Sequence, residues 1–367
     1  MNPGSSDTVP LWSVAVPVIA AVLCGLVFTH VVPETPPVFI LLALALGACV
    51  FAAVHHAEIL ALRVGEPMGS IILAAAVTII EVGLIVSIML SGAEGSEMVA
   101  RDTVFSALMI VLNGVIGLAL VLGARKHREQ VFQVNATSTA LGVLGTLATI
   151  VFILPDFVNA NEIMRFSTLQ LMVAGIVCLV LYGVFVFVQT IRHRDYFMEV
   201  GSTESDVNDH AHGVPSSRET LASAVLLPLS LLFVILLAKV LSHPLDDAVA
   251  AAGLPPAVVG VVIAAIVLLP EGIASIRAAR LNRLQNSVNL VLGSALASIG
   301  MTIPVVSALA VLTGLPLTLG LPPASIVLLL LTLFVSTLTL GTGRTTTLQG
   351  AIHLSIFVMF LLISAVP

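Results

Sequence analysis

Eleven separate runs of about 20 mostly apolar residues follow one another along this chain, at roughly 11–31, 37–57, 69–91, 102–123, 137–154, 168–190, 220–241, 256–276, 286–311, 322–340 and 349–366. A segment of that length crosses the hydrocarbon core as a helix, and backbone groups inside lipid must find partners within the segment. Each run is therefore predicted to be a transmembrane helix, whole or broken. Across the 367 residues 58 % are apolar and only 9 % are charged, which excludes a soluble enzyme, a disordered chain and a nucleic-acid binder with a basic face. Aromatic residues make up 5 %, too few for the girdles of a membrane barrel. Cys24, Cys49 and Cys178 all lie in apolar runs without a Cys-x-x-Cys spacing, so they read as small hydrophobes. The first run has no basic residue before it and reads as a retained helix rather than a signal peptide.

The basic residues test the count. If the loops alternate between two sides, eleven of the 14 Lys and Arg residues fall on the side of the N-terminus: Arg63; Arg125, Lys126 and Arg128; Arg192, Arg194 and Arg218; Arg277, Arg280 and Arg283; Arg344. Only Arg101, Arg165 and Lys239 fall on the other. Positive charge marks the cytoplasmic side, so the expected topology is a multi-pass protein with its N-terminus cytoplasmic and its C-terminus outside.

The chain divides into residues 1–35 (a cytoplasmic tail and an extra helix), 36–190 (five helices), 191–219 (a polar linker) and 220–367 (five more helices). Five is odd, so the second set inserts upside down relative to the first. Aligning Glu81 with Glu271 also matches Ala74–Ala75 with Ala264–Ala265, and Ser167-Thr168-Leu169-Gln170 resembles Thr346-Thr347-Leu348-Gln349. The expected fold is all-α: one N-terminal helix plus two inverted five-helix repeats, an architecture that secondary transporters use to build a midplane site.

Glu81 and Glu271 carry the chemistry of this reading. A carboxylate deep in a spanning helix costs about 2.5–3.5 kcal/mol on insertion scales and marks an ion or proton path. Glu271 follows Pro270, where the missing N–H predicts a helix break with free carbonyls. Carboxylates in low dielectric hold either a proton or a cation, and that competition is the minimum mechanism of a cation/proton exchanger. Thr78, Ser87, Ser106, Asn113, Asn289, Ser294 and Ser298 are candidate oxygen donors along the path, each taken alone reading first as an interhelical hydrogen-bonding residue. Arg101 and Asp102 read either as an entrance pair or as a boundary anchor. His55, His56 and Glu58 are expected at a solvated helix end, and His353 is expected to pack rather than relay protons. Asp206, Asp209, His210 and His212 in the linker read first as a solvated segment, with a cation- or pH-sensing loop as the alternative. No catalytic motif is present, so neither an enzyme nor a cofactor is expected; a channel would need a continuous pore.

The runs 58–69 (EILALRVGEPMG), 128–135 (REQVFQVN) and 343–354 (GRTTTLQGAIHL), with RDTVFS at 101–106 and LLPEG at 268–272, resemble the calcium/cation antiporter superfamily over nearly the whole chain. They are most similar to its bacterial sodium-potassium(calcium)/proton antiporter branch. The resemblance implies an inner-membrane exchanger of Na⁺, K⁺ or Ca²⁺ for H⁺. It places Glu81 and Glu271 where the family has its two cation- and proton-binding glutamates, the metal ligands of the transported ion. It implies that the linker stands where the family has its acidic segment. The sequence departs from the Gly-Asn-Ala-x-Glu pattern of the calcium/proton members: Thr78 and Leu268 replace the two asparagines, Leu73 an upstream asparagine, and Ala297 a glutamine. Fewer oxygens suit Na⁺ and K⁺ better than Ca²⁺, which takes six to eight, although two carboxylates with water still accommodate it.

Overall fold

The computed structural model describes residues 10–33, 35–65, 68–92, 95–158, 164–198 and 215–366. Eleven helices among them are long and apolar enough to cross a membrane: α1 (Leu11–Phe28), α2 (Pro36–Val64), α3 (Ile72–Met89), α4 (Val99–His127), α5 (Val134–Ile153), α6 (Thr168–Arg192), α7 (Ser217–Ala251), α8 (Ala257–Arg280), α9 (Leu284–Thr313), α10 (Pro323–Leu340) and α11 (Thr347–Ala365). Each expected run corresponds to one helix. Residues 1–91 with 203–245 form one compact unit, and residues 92–202 with 246–367 a second, so the units cut across the two sequence halves.

The first unit holds α1, α2, α3 and most of α7. Gly83 lets α3 approach α7 closely, since a Cβ there would lie 2.6 Å from Ile235 Cγ1. Such close approach of small residues is how helices gain packing energy where water supplies no driving force. His56 is fully buried, which corrects the expectation of a solvated end for it. Its Nε2–H donates to the Ser13 carbonyl at 3.1 Å, and its Nδ1 accepts from the Ser223 hydroxyl at 3.1 Å. One imidazole thereby satisfies both polar atoms and ties α2 to α1 and α7. The His55 ring packs 5.1 Å from Trp12, while Glu58 is exposed.

In the second unit the loops sort to two ends. At one end, β1 (Gln130–Val131) pairs antiparallel with β2 (Arg344–Thr345), joining the α4–α5 and α10–α11 connections. Gln130 donates to the Ala279 carbonyl at 2.8 Å and His127 meets the Arg280 carbonyl at 3.0 Å, which adds the α8–α9 connection. At the other end, Arg101 pairs with Asp102 at 2.7 Å and donates to the Gly320 carbonyl, and Arg165 donates to Thr318. The extended chain before α10 is buried there, its N–H groups bonded to the Glu97, Met164 and Phe152 carbonyls. This is the alternation that the basic residues predict. Arg101 and Asp102 form a buried anchor, with Arg101 only 4 % exposed.

The predicted break at Pro270 does not occur: α8 is helical from Ala257 to Arg280. Inside helices the interruptions lie in α4 and α9 instead, as π-helical turns at Ile110–Val115 and Ser298–Thr302, and the last turns of α5 (Thr149–Ile153) and α6 (Val188–Arg192) are π-helical too. The turns of α4 and α9 each begin four residues after a serine, Ser106 in one and Ser294 in the other. A second correspondence joins α6 and α11. Both open with a capping box, Ser167 with Gln170 and Thr346 with Gln349, in which side chain and backbone satisfy each other's free donors. The short sequence match at those positions thus records a helix start shared by the two halves.

Candidate ion site

Glu271 lies in the middle of α8, where the surrounding sequence is apolar. Its Oε2 accepts a hydrogen bond from the hydroxyl of Ser294 on α9. The carboxylate opens on a small cavity lined by Val111 and Val115 of α4, Leu268 and Gly272 of α8, and Leu290 and Val291 of α9. Three helices of the second unit therefore hold one half-buried carboxylate and one half-buried hydroxyl against otherwise apolar walls. In such surroundings a bare carboxylate is costly, and the group is stabilised by a proton or by a cation. Tyr182 of α6 lies within electrostatic reach of Glu271, and its side chain packs where Gly300 leaves room. The sequence reading missed Tyr182. The available signal was its rarity, as one of two tyrosines in the chain and the one inside a spanning run.

Glu81 belongs to the first unit, on α3, and is 4 % exposed. Thr78, one turn earlier, is buried with it, and Ser87 is half-buried further along the same helix. Among the described residues no group of three or more His, Cys, Asp or Glu side chains gathers as a preformed metal cluster.

The remaining candidates separate. Ser106 and Ser298 are buried on α4 and α9. Asn289 accepts from Gln285 at 2.7 Å and donates to the Phe197 carbonyl at 2.6 Å, which ties α9 to the short turn after α6. Asn113 is fully buried and turned towards α10 and α11, donating to Thr332 at 2.9 Å and meeting His353 Nδ1 at 3.1 Å. Asp206, Asp209, His210 and His212 lie outside the described residues.

Comparison with known proteins follows the same lines. The model of the family described as sodium/calcium exchanger protein matches residues 35–191 and 222–366, which leaves α1 outside it. The y4hA protein of Sinorhizobium fredii is 61 % identical over 363 residues, 99 % of this chain and 98 % of that one. The sodium-potassium/proton antiporter ChaA of Escherichia coli is 36 % identical over 354 residues, 95 % of each chain. Among solved structures, native YfkE superposes with a TM-score of 0.74 at 16 % identity, covering 97 % of this chain and 100 % of that one. The H⁺/Ca²⁺ exchanger CAX gives 0.69 at 15 %, covering 97 % and 90 %. At these identities the two structures establish the fold, an all-α membrane architecture of eleven helices.

Proposed function

Because the chain belongs to the sodium/calcium exchanger family, we propose that it is a secondary antiporter that exports Na⁺ and K⁺, with Ca²⁺ as a further substrate, in exchange for protons. The cation/proton character has the broader support: family membership, and the names of the Escherichia coli relative and of a 24 % identical Ca²⁺/H⁺ antiporter from Aphanothece halophytica. The observation that carries the site is Glu271, a half-buried carboxylate walled by apolar side chains with one serine hydroxyl beside it.

The chemistry follows from that enclosure. An ionised Glu271 without a partner is disfavoured, so the site is occupied by a proton or by a cation before the transporter changes state. Binding of one excludes the other. Coupling then needs no further device: alternating access carries a cation one way and a proton back. Glu81 plays the equivalent role in the first unit, consistent with its depth in α3 and with the resemblance of both glutamates to the family pair. Ser294 turns its hydroxyl to the carboxylate when the cation is absent and offers its oxygen when the cation is present.

A monovalent preference is supported by the ligand count. Leucine and alanine stand at 73, 268 and 297, where calcium/proton members carry amides, so these positions offer a cation no side-chain oxygen. Ca²⁺ seeks six to eight oxygens and would retain most of its water here. The second reading, a Ca²⁺-selective exchanger, is favoured by the named activities of CAX and the Aphanothece protein. On the topology expected from the basic residues, cations leave the cytoplasm as protons enter.

Removing one carboxylate charge without changing its shape tests the site. Glu81→Gln and Glu271→Gln are each expected to reduce exchange in proteoliposomes at least about 100-fold, while membrane insertion and yield stay at wild-type level. Wild-type exchange in either variant would contradict that glutamate's assignment.

A further inference from the structure

We propose that His353 is a positioning residue for the Glu271 site: it holds the π-helical turn of α4 in place through a neutral imidazole. The inference rests on the exchanger reading above and deepens it.

His353 is fully buried on α11, and every hydrogen-bond partner of its ring is uncharged. Nδ1 lies 3.1 Å from Asn113 Oδ1, and Nε2 lies 3.2 Å from Thr339 Oγ1 on α10. The Asn113 amide nitrogen is already committed as a donor to Thr332 Oγ1 at 2.9 Å. Its Oδ1 must therefore accept, which puts the proton on Nδ1 and leaves Nε2 to accept from the Thr339 hydroxyl. All four groups are satisfied with a neutral ring. An imidazolium in this place would be a buried charge with no carboxylate beside it.

Asn113 sits inside the π-helical turn Ile110–Val115, and the His353 ring also faces the backbone of Leu112 in that turn. Across the turn, the Ile116 N–H reaches back five residues to the Val111 carbonyl. Val111 and Val115, four residues apart, line the cavity at Glu271. One side of the turn thus forms a wall of the ion site, and the residue between those valines is held from α11. The approach is possible because Gly117 and Gly350 meet without side chains: a Cβ on Gly350 would lie 2.7 Å from the Gly117 carbonyl oxygen. π-turns are costly and persist where the surroundings hold them. The network on Asn113 supplies that hold, and loosening it shifts Val111 and Val115 against the carboxylate.

The test uses the purified full-length protein with His353→Ala, His353→Gln and Asn113→Ala. Backbone amide exchange over residues 110–116 is expected to speed up about tenfold in His353→Ala. The half-saturating Na⁺ concentration for proton release is expected to rise about five- to tenfold, with the maximal rate changed less than about twofold. His353→Gln, whose amide both donates and accepts, should restore both readouts to within about twofold of wild type, and adding Asn113→Ala to His353→Ala should change nothing further. If His353→Ala does not fold, Thr339→Val removes the Nε2 partner alone and is expected to act in the same direction.

Unchanged amide protection in that segment would overturn the proposal. So would a fall in maximal rate with unchanged half-saturation, as a merely structural role gives. A displaced acid limb in the pH profile would assign proton carriage to His353 instead and would also overturn it. A wild-type protein that exchanges none of Na⁺, K⁺ or Ca²⁺ for protons counts against the exchanger reading, and amide exchange still decides the role of His353.

Discussion

At Glu271 the Ser294 hydroxyl of α9 donates to the carboxylate, and on the proposed reading cation affinity depends on that pair. Ser294→Ala is expected to raise the half-saturating Na⁺ concentration about fivefold, the worth of one ordinary hydrogen bond of about 1 kcal/mol, with Ser294→Thr close to wild type. A titration of proton release against Na⁺ checks this. Asp156, outside the spanning segments, offers a pH test. Both its oxygens are covered and without hydrogen-bond partners, so burial pushes its carboxyl above the usual range while Arg101 pulls it partly back. A raised carboxyl pKa in the fold means that stability falls as pH rises through that value, and that the penalty is absent once the group is protonated in both states. Asp156→Asn should therefore raise the thermal midpoint at pH 8 by about 1–3 °C, with the gain vanishing as pH falls below about 4. Melting curves across pH decide it.

The glutamates and Ser294 were legible in the sequence because a polar group in an apolar run is expensive and demands a reason. The partnership of residues 271 and 294 was not legible, since it depends on how α8 and α9 rotate about their own axes. Asn113 shows the same gap. Its depth in α4 was readable, yet its partners Thr332 and His353 lie more than 200 residues away, and the side of the helix it faces is fixed by packing alone. His353 was expected to pack, and it does so through hydrogen bonds that no local pattern signals.

At the scale of the elements, the number and order of the helices followed from hydropathy, whereas their full lengths did not, α7 running over 35 residues and α2 over 29, and neither did their irregularities. Proline predicted a break in α8, but the helix continues through Pro270. A missing N–H in a membrane helix is tolerated where neighbouring helices enclose the segment. The interior irregularities, the π-turns of α4 and α9, share no common motif: Pro304 follows Ser298–Thr302 and leaves the Gly300 carbonyl without its usual donor, whereas no proline stands near Ile110–Val115, and two further π-turns end α5 (Thr149–Ile153) and α6 (Val188–Arg192). What the two interior turns share is their place, one turn after Ser106 and Ser294. Because α8 is unbroken at the proline, and the cavity at Glu271 takes Val111 and Val115 from the α4 turn, Pro270→Ala should retain exchange within about threefold of wild type. A loss as large as that of Glu271→Gln would return the proline to the mechanism.

For the molecule as a whole, the alternation of basic residues proved the most informative long-range pattern. It required the connections α4–α5, α8–α9 and α10–α11 to share one end of the second unit, and the β1–β2 pair with the Gln130 and His127 contacts joins them there. The grouping of helices into two compact units was invisible in the sequence, because contacts collect α1–α3 with α7 and leave α8 with α4 and α9. Hydropathy reports what lies in lipid and is silent on which helices touch. The family and its named relatives support cation/proton exchange; the proposed choice among cations rests on residues 73, 268 and 297, which carry no side-chain oxygen. The most direct measurement is proton movement in proteoliposomes containing the purified protein, an acidic lumen and a trapped pH dye, with Na⁺, K⁺ or Ca²⁺ added outside in separate runs. Alkalinisation of the lumen by Na⁺ and by K⁺, abolished in Glu271→Gln, is the predicted result. A response to Ca²⁺ alone would contradict the monovalent assignment, and silence with all three would contradict exchange itself.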